Sequence, residues 1–175
     1  MKKTLLASIL ITTGLLGGCA TMAPSQTTLT STYNADDIAW AAVEGNNSIH
    51  GDAFLRQRGG GVVTCAGQVV NLYPVAEYSA ERITAFYGNT DKGYRPASMR
   101  QNLPTAPAEY YDVATSYCDA QGKFEFTDIA DGSYFLATTV TWIVPGQYVS
   151  STQGGNLMQR VTVEGGDNLR VAITY

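Results

Sequence analysis

The stretch CDAQGKFEFTDIADGSYFLATTVTW, residues 118–142, decides the fold class. Asp119-Ala120-Gln121-Gly122 has turn chemistry, because aspartate bonds its own backbone two residues on and glycine accepts left-handed dihedrals. Phe124 and Phe126 then alternate with Lys123, Glu125 and Thr127, giving one apolar and one polar face, the period-two pattern of a half-buried strand. Asp131-Gly132 makes a second turn. After it, Tyr134, Leu136, Thr138, Val140 and Trp142 share one face of another strand.

Working outward, strands are expected around Val161 and Val163 and again over Leu169, Val171 and Ile173, with Gly165-Gly166-Asp167-Asn168 joining them as a hairpin turn. Upstream, Val62 to Pro74 is rich in β formers and stops at proline, which cannot donate to a ladder. Gly59-Gly60-Gly61 marks a loop, residues 48–54 alternate imperfectly, and Tyr110 to Cys118 reads as a strand. Two short helices fit between these. Asn34-Ala35-Asp36-Asp37 caps one that carries Trp40 as a core plug and ends at Gly45, and residues 77–87 place Ile83, Phe86 and Tyr87 at helical spacing before Gly88. Residues 88–109 form a long excursion, of the kind that carries function or mobility. The pattern predicts a mainly β chain: an antiparallel sandwich with one or two short helices.

The block Cys118 to Leu136, an acidic-and-glycine turn, an aromatic pair at i and i+2 and then Gly132-Ser133-Tyr134-Phe135-Leu136, resembles the carboxypeptidase regulatory-like domain family. Ala66-Gly67-Gln68-Val69-Val70-Asn71-Leu72-Tyr73-Pro74 is similar to that family's G-x-x-V-x-L-x-P strand. The resemblance implies a transthyretin-like (prealbumin-like) seven-stranded Greek-key β-sandwich. It covers about half of the domain by motif and speaks for scaffold rather than activity. In carboxypeptidases such a module accompanies a separate zinc domain, which is absent from this chain. The leading helix, the insertion at 77–112 and a Cys65–Cys118 bridge depart from the usual module.

The amino terminus has the layout of an export signal. Lys2 and Lys3 precede an uncharged apolar run that is too short for a membrane span, and Leu16-Gly17-Gly18-Cys19 reads as a lipobox. The expected organisation is a lipoprotein signal peptide over 1–18, a Thr/Ser-rich flexible tether over 19–33 and one sandwich domain over 34–175. Cys19 would carry the acyl chains, several of which are needed for stable anchoring. Ala20 in place of the aspartate of an inner-membrane retention signal favours the outer membrane, with the domain on its periplasmic face, by resemblance to Gram-negative lipoproteins.

The chain's formal net charge is −4, and loss of Lys2 and Lys3 takes it to −6, a poor balance for binding nucleic acid. In an oxidising compartment Cys65 and Cys118 read as a disulfide, closing a loop of about fifty residues and stabilising by roughly 4 kcal/mol in the chain-entropy model. Metal or catalytic thiols would need histidine or cysteine partners, and His50 is the one histidine. A zinc hydrolase needs about three ligands, commonly with two histidines. His50 beside Asp52 and near Glu44 is more simply a strand-edge residue. No G-x-S-x-G accompanies it, and no G-K-[ST] follows the glycine triplet. The expectation is a protein that is not an enzyme and has no cofactor or metal; a hydrolase using His50 ranks last.

The remaining signal is aromatic. Tyr73, Tyr78, Tyr87, Tyr94, Tyr110, Tyr111 and Tyr117 crowd residues 73–117 together with Arg82, Arg95 and Arg100. Tyrosine and arginine are favoured at interface hot spots, and tyrosine also simply covers sheets. The partner-binding candidates are Tyr94, Arg95, Arg100, Tyr110 and Tyr111, with residues 94–100 expected to be exposed. The first reading is a membrane-anchored module binding an envelope protein or aiding envelope assembly. The alternative is a lipoprotein that binds carbohydrate or peptidoglycan.

Overall fold

A computed structural model describes residues 27–99 and 102–175 of the chain. Cys19, the signal peptide, most of the tether and Arg100 lie outside the described residues. The strands are β1 (Asn47–Arg56), β2 (Val62–Thr64), β3 (Val69–Pro74), β4 (Lys92–Pro96), β5 (Ala114–Tyr117), β6 (Lys123–Ile129), β7 (Gly132–Val144), β8 (Ser151–Val163) and β9 (Asn168–Ile173). One α-helix, α1 (Glu77–Tyr87), and two 3-10 helices, Ala35–Ala42 and Ala108–Tyr111, complete the described elements.

The strands form an open β-sandwich. In the first sheet β1 lies between β6 and β9, with β2 pairing to the end of β1; the second sheet runs β4-β8-β7-β3-β5. The expected seven-strand frame is present as β1, β3 and β5 to β9, and β2 and β4 bring the described total to nine. Both additions have local causes. Cys65 to Gln68 folds into a tight turn with Gly67 at φ 73°, so the single β run expected over 62–74 breaks into β2 and β3. The excursion after α1 supplies β4, which pairs with β8 from Lys92↔Gln159 to Pro96↔Gly155.

One pairing departs from an all-antiparallel design. The expected hairpin at Gly165–Asn168 is a crossover: β8 stays in the second sheet, and β9 pairs in parallel with β1 from Ser48↔Asn168 to Ala53↔Ile173. Asn47 holds this crossover in place. Its buried side-chain carbonyl accepts from Gly166 N (2.9 Å) and Asp167 N (2.8 Å), and its amide donates to Ile129 O and Asp131 Oδ1, both at 2.8 Å. Gly-Gly-Asp suits either a hairpin or a crossover; this distant amide selects the crossover.

Between the sheets lies a core built from the predicted faces. Ile49, Phe124, Phe126, Tyr134, Leu136, Val140, Leu157 and Val163 are buried together. Cys65 and Cys118 are bonded within it, 5.7 Å apart at Cα, pinning β2 to the turn before β6. The leading helix forms as 3-10, with the Asn34 side chain accepting from Asp36 N, and Trp40 packs on Tyr134 at 5.2 Å between centroids. Gly132, at φ 154°, lies under that indole; any Cβ there would collide with the ring.

The second sheet is covered on its outer face as well. Helix α1, ended by Gly88 in the left-handed region at φ 76°, lays Ile83 on Phe135 and Met158. The end of the segment assigned as tether is docked rather than free. Leu29 and Tyr33 pack against Tyr78 and Tyr110, and Thr30 and Ser31 bond the Glu81 carboxylate. Tyr110 and Tyr111, expected at the start of a strand, belong to the second 3-10 helix, because β5 begins only at Ala114.

Candidate functional site

Helix α1 covers only part of the second sheet. Beside it the outer faces of β3, β7 and β8 floor a groove of about 380 Å³, walled by α1 on one side and by Leu103, Tyr110 and Tyr111 on the other. Period two aims the same-face residues of each strand into it: Val69, Asn71 and Tyr73 from β3, Ala137 and Thr139 from β7, and Asn156 from β8. The groove is rich in rings and neutral polar groups. Tyr73 and Tyr110 stack at 5.1 Å with planes 13° apart, and Tyr111 meets Tyr110 edge-on at 5.1 Å. Phe86 and Tyr87 line the helix side. Asn71, Gln68, Thr139 and Asn156 supply hydrogen-bonding groups, and the Thr139 hydroxyl donates to Asn156 Oδ1 at 2.9 Å, leaving the Asn156 amide hydrogens for a ligand.

Arg82 is the one charged residue among the described lining. It is 5% exposed, its Nη1 donates to Pro104 O at 2.9 Å, and its guanidinium lies 5.1 Å from the Tyr110 ring and 5.6 Å from that of Tyr78. It therefore fastens the 103–111 wall to α1, a cation held by ring faces and a carbonyl. Burial, more than any neighbouring charge, raises the phenol pKa of Tyr73, Tyr87 and Tyr110 above the ordinary value of 10.0. These phenols stay neutral at physiological pH and act as hydrogen-bonding groups and flat apolar faces, not as bases.

The partner-binding candidates do not form one surface. Tyr110 is a largely buried part of the groove wall and Tyr111 is 51% exposed at its lip. Tyr94 faces the other side of β4, stacks on Tyr175 at 4.9 Å and donates to Gly154 O at 3.1 Å. Arg95 lies under α1, with Nη1 donating to Phe86 O at 2.9 Å and its guanidinium over the Phe86 ring at 4.8 Å. Adjacent strand residues point to opposite faces, so Tyr94 and Arg95 could not share a patch. Of residues 94–99, Ala97, Ser98 and Met99 are exposed, whereas Tyr94, Arg95 and Pro96 are half-buried. Sequence reasoning missed Asn71, Thr139 and Asn156; their polar identity at the outer positions of strands with buried flanks was the available signal.

His50 lies elsewhere, on the outer face of the first sheet, with Nδ1 3.5 Å from Glu125 Oε1. It borders an open depression of about 720 Å³ lined by charges of both signs, including Asp52, Lys123, Glu125 and Arg170. That depression is the larger of the two, but its charged residues stand opposite one another in the register of β1 and β6, as Asp52↔Lys123 and His50↔Glu125 do. This is the ordinary arrangement of a solvated sheet face. No group of three or more His, Cys, Asp or Glu is placed to hold a metal among the described residues.

Fold and groove together define a disulfide-pinned β-sandwich with a ligand-sized aromatic groove on one sheet face. No family model matches the chain and no curated protein matches it. Among solved structures it is similar to a protein from Pseudomonas aeruginosa provisionally described as carbohydrate binding. The two are 25% identical with a TM-score of 0.69, and the match covers 82% of this chain and 97% of that one.

Proposed function

We propose that the protein is a lipid-anchored, non-catalytic module of carboxypeptidase regulatory-like type that binds glycan in the groove between α1 and the second sheet. The observation that carries this is the lining itself: tyrosine and phenylalanine faces opposite a row of amides and a hydroxyl, with no carboxylate among the described lining residues. A sugar ring presents an apolar C–H face and a rim of hydroxyls, and such a lining meets both at once. The Pseudomonas aeruginosa structure, with the same architecture and a carbohydrate-binding description, supports the reading. The Cys19 lipobox would place the groove at a membrane outside the cytoplasm, with cell-wall glycan within reach. Binding an envelope protein through Tyr94, Arg95 and Arg100 loses its support, because Tyr94 and Arg95 lie on opposite faces of β4.

The test is calorimetric titration of the purified chain with solubilised cell-wall fragments and a panel of neutral and acidic oligosaccharides. Tyr111→Ala and Asn156→Ala should each weaken the bound glycan about tenfold, or about 1.4 kcal/mol, with the melting temperature unchanged. A chain that binds none of the panel, or variants that bind as the parent does, would defeat the proposal.

A further inference from the structure

Strands β7 and β8 outrun their neighbours. They pair from Gly132↔Val163 to Val144↔Ser151, whereas β3 accompanies β7 only to Ala137 and β4 accompanies β8 only to Gly155. Beyond Val140 and Gly155 the two continue, with no third strand in register, as a ribbon of about four residue pairs, roughly 13 Å, closed by the loop 145–150. The ribbon's end is apolar and in water: Ile143 is 70% exposed, Tyr148 89% and Val149 80%, with Val144 beside them. No charged side chain occurs from Gly132 to Gln159 in a chain that is otherwise acidic.

We infer that this arm rests its tip in the headgroup region of the bilayer that carries the anchor. The inference depends on the Cys19 anchor proposed above, though not on the glycan groove. Apolar aliphatic groups with a tyrosine and without charge suit the interface of a bilayer, where the ring's body is buried and its hydroxyl stays wet. A protein surface would more often ask for a charge or two to fix register. The chain's own path supports a membrane. Seven residues lie between Cys19 and Thr27, so the eight steps from one Cα to the other span at most about 28 Å. Thr27 N donates to Asn102 O at 3.2 Å in the connection that leaves β4, and Ala97 N at the start of that connection donates to Gly154 O at 2.9 Å, where the arm begins. The anchoring segment thus meets the far end of the connection whose first residue bonds the arm's root.

The experiment uses the full lipidated chain with Gln147→Cys, extracted from membranes, labelled with an environment-sensitive fluorophore and reconstituted into phosphatidylethanolamine–phosphatidylglycerol vesicles. Flotation after an alkaline wash reads the anchor; the fluorophore reads the arm. The expected result is a blue-shifted emission quenched by spin-labelled lipid, with both effects lost when Tyr148→Asp and Val149→Asp are added. Emission typical of water and unquenched in floated vesicles overturns the arm contact while leaving the anchor standing. A shift that grows with protein density and ignores lipid quencher overturns it in favour of contact between copies. A chain that does not float overturns the anchor, and the arm contact with it.

Discussion

Ser31 clasps Glu81 with both its backbone N–H and its hydroxyl on one carboxylate oxygen, and Thr30 does the same to the other. Four donors on one carboxylate favour its ionised form, and the side-chain bond from Ser31 leads in lowering the Glu81 pKa from 4.5 to about 2. The folded value lies below the unfolded one, so the clasp contributes in full above about pH 4.5 and is lost as pH falls through 2. Hydrogen exchange should show the amides of Thr30 and Ser31 protected at pH 6 and progressively freed in acid. Glu81→Gln should free them at every pH.

Asn47 satisfies three backbone groups and Asp131 from a buried position. Asn47→Ala leaves Gly166 N, Asp167 N and Ile129 O without these partners and should cost roughly 2–4 kcal/mol. Asn47→Asp keeps the acceptor for the crossover but sets a carboxylate oxygen against Ile129 O and Asp131, so it should be no milder. Urea unfolding of both variants against the parent checks this, with an unchanged midpoint as the contrary result.

Reducing the Cys65–Cys118 bond, or changing both residues to alanine, should lower stability by about 4 kcal/mol on the loop-entropy account. The bond is buried, so mild reductant should act slowly until denaturant is added. Thiol titration in native and denaturing buffer reads the difference.

Tyr110 and Tyr111 are adjacent in sequence and should behave oppositely. Tyr110→Ala removes a buried ring from a cluster of Tyr73, Tyr78 and Tyr33 and should destabilise by roughly 3–5 kcal/mol. Tyr111→Ala removes an exposed ring and should leave stability within about 0.5 kcal/mol while weakening glycan. His50→Ala, on the other sheet, should leave glycan affinity unchanged. Thermal melts paired with titrations separate the three.

What could be read in the chain was short-range. Phe124 and Phe126, the run from Tyr134 to Trp142, the helix over 77–87 and the disulfide all follow from period, turn chemistry or cysteine pairing, and the structure has each of them. What could not be read depends on distant partners. A glycine-rich turn does not announce whether the strand beyond it folds back or crosses, and here an amide 119 residues away decides. The groove was half legible for the same reason. Its tyrosines stood out by type, whereas Asn71, Thr139 and Asn156 become neighbours only once β3, β7 and β8 lie side by side. Tyr94 looked like surface because the start of its strand, β4, was hidden in a stretch rich in turn residues.

The parallel pairing of β9 with β1 has a consequence for how the molecule comes into being. A chain folding as it is synthesised can pair β6 with β1 and β8 with β7 as each appears, but β1 keeps an open hydrogen-bonding edge until residues 168–173 arrive. Loop closure over so long a separation is slow, and an unpaired edge invites pairing with another chain. A nascent or truncated copy ending before Asn168 would therefore be a substrate for chaperones and proteases, and C-terminal trimming would cost the cell the domain rather than one strand.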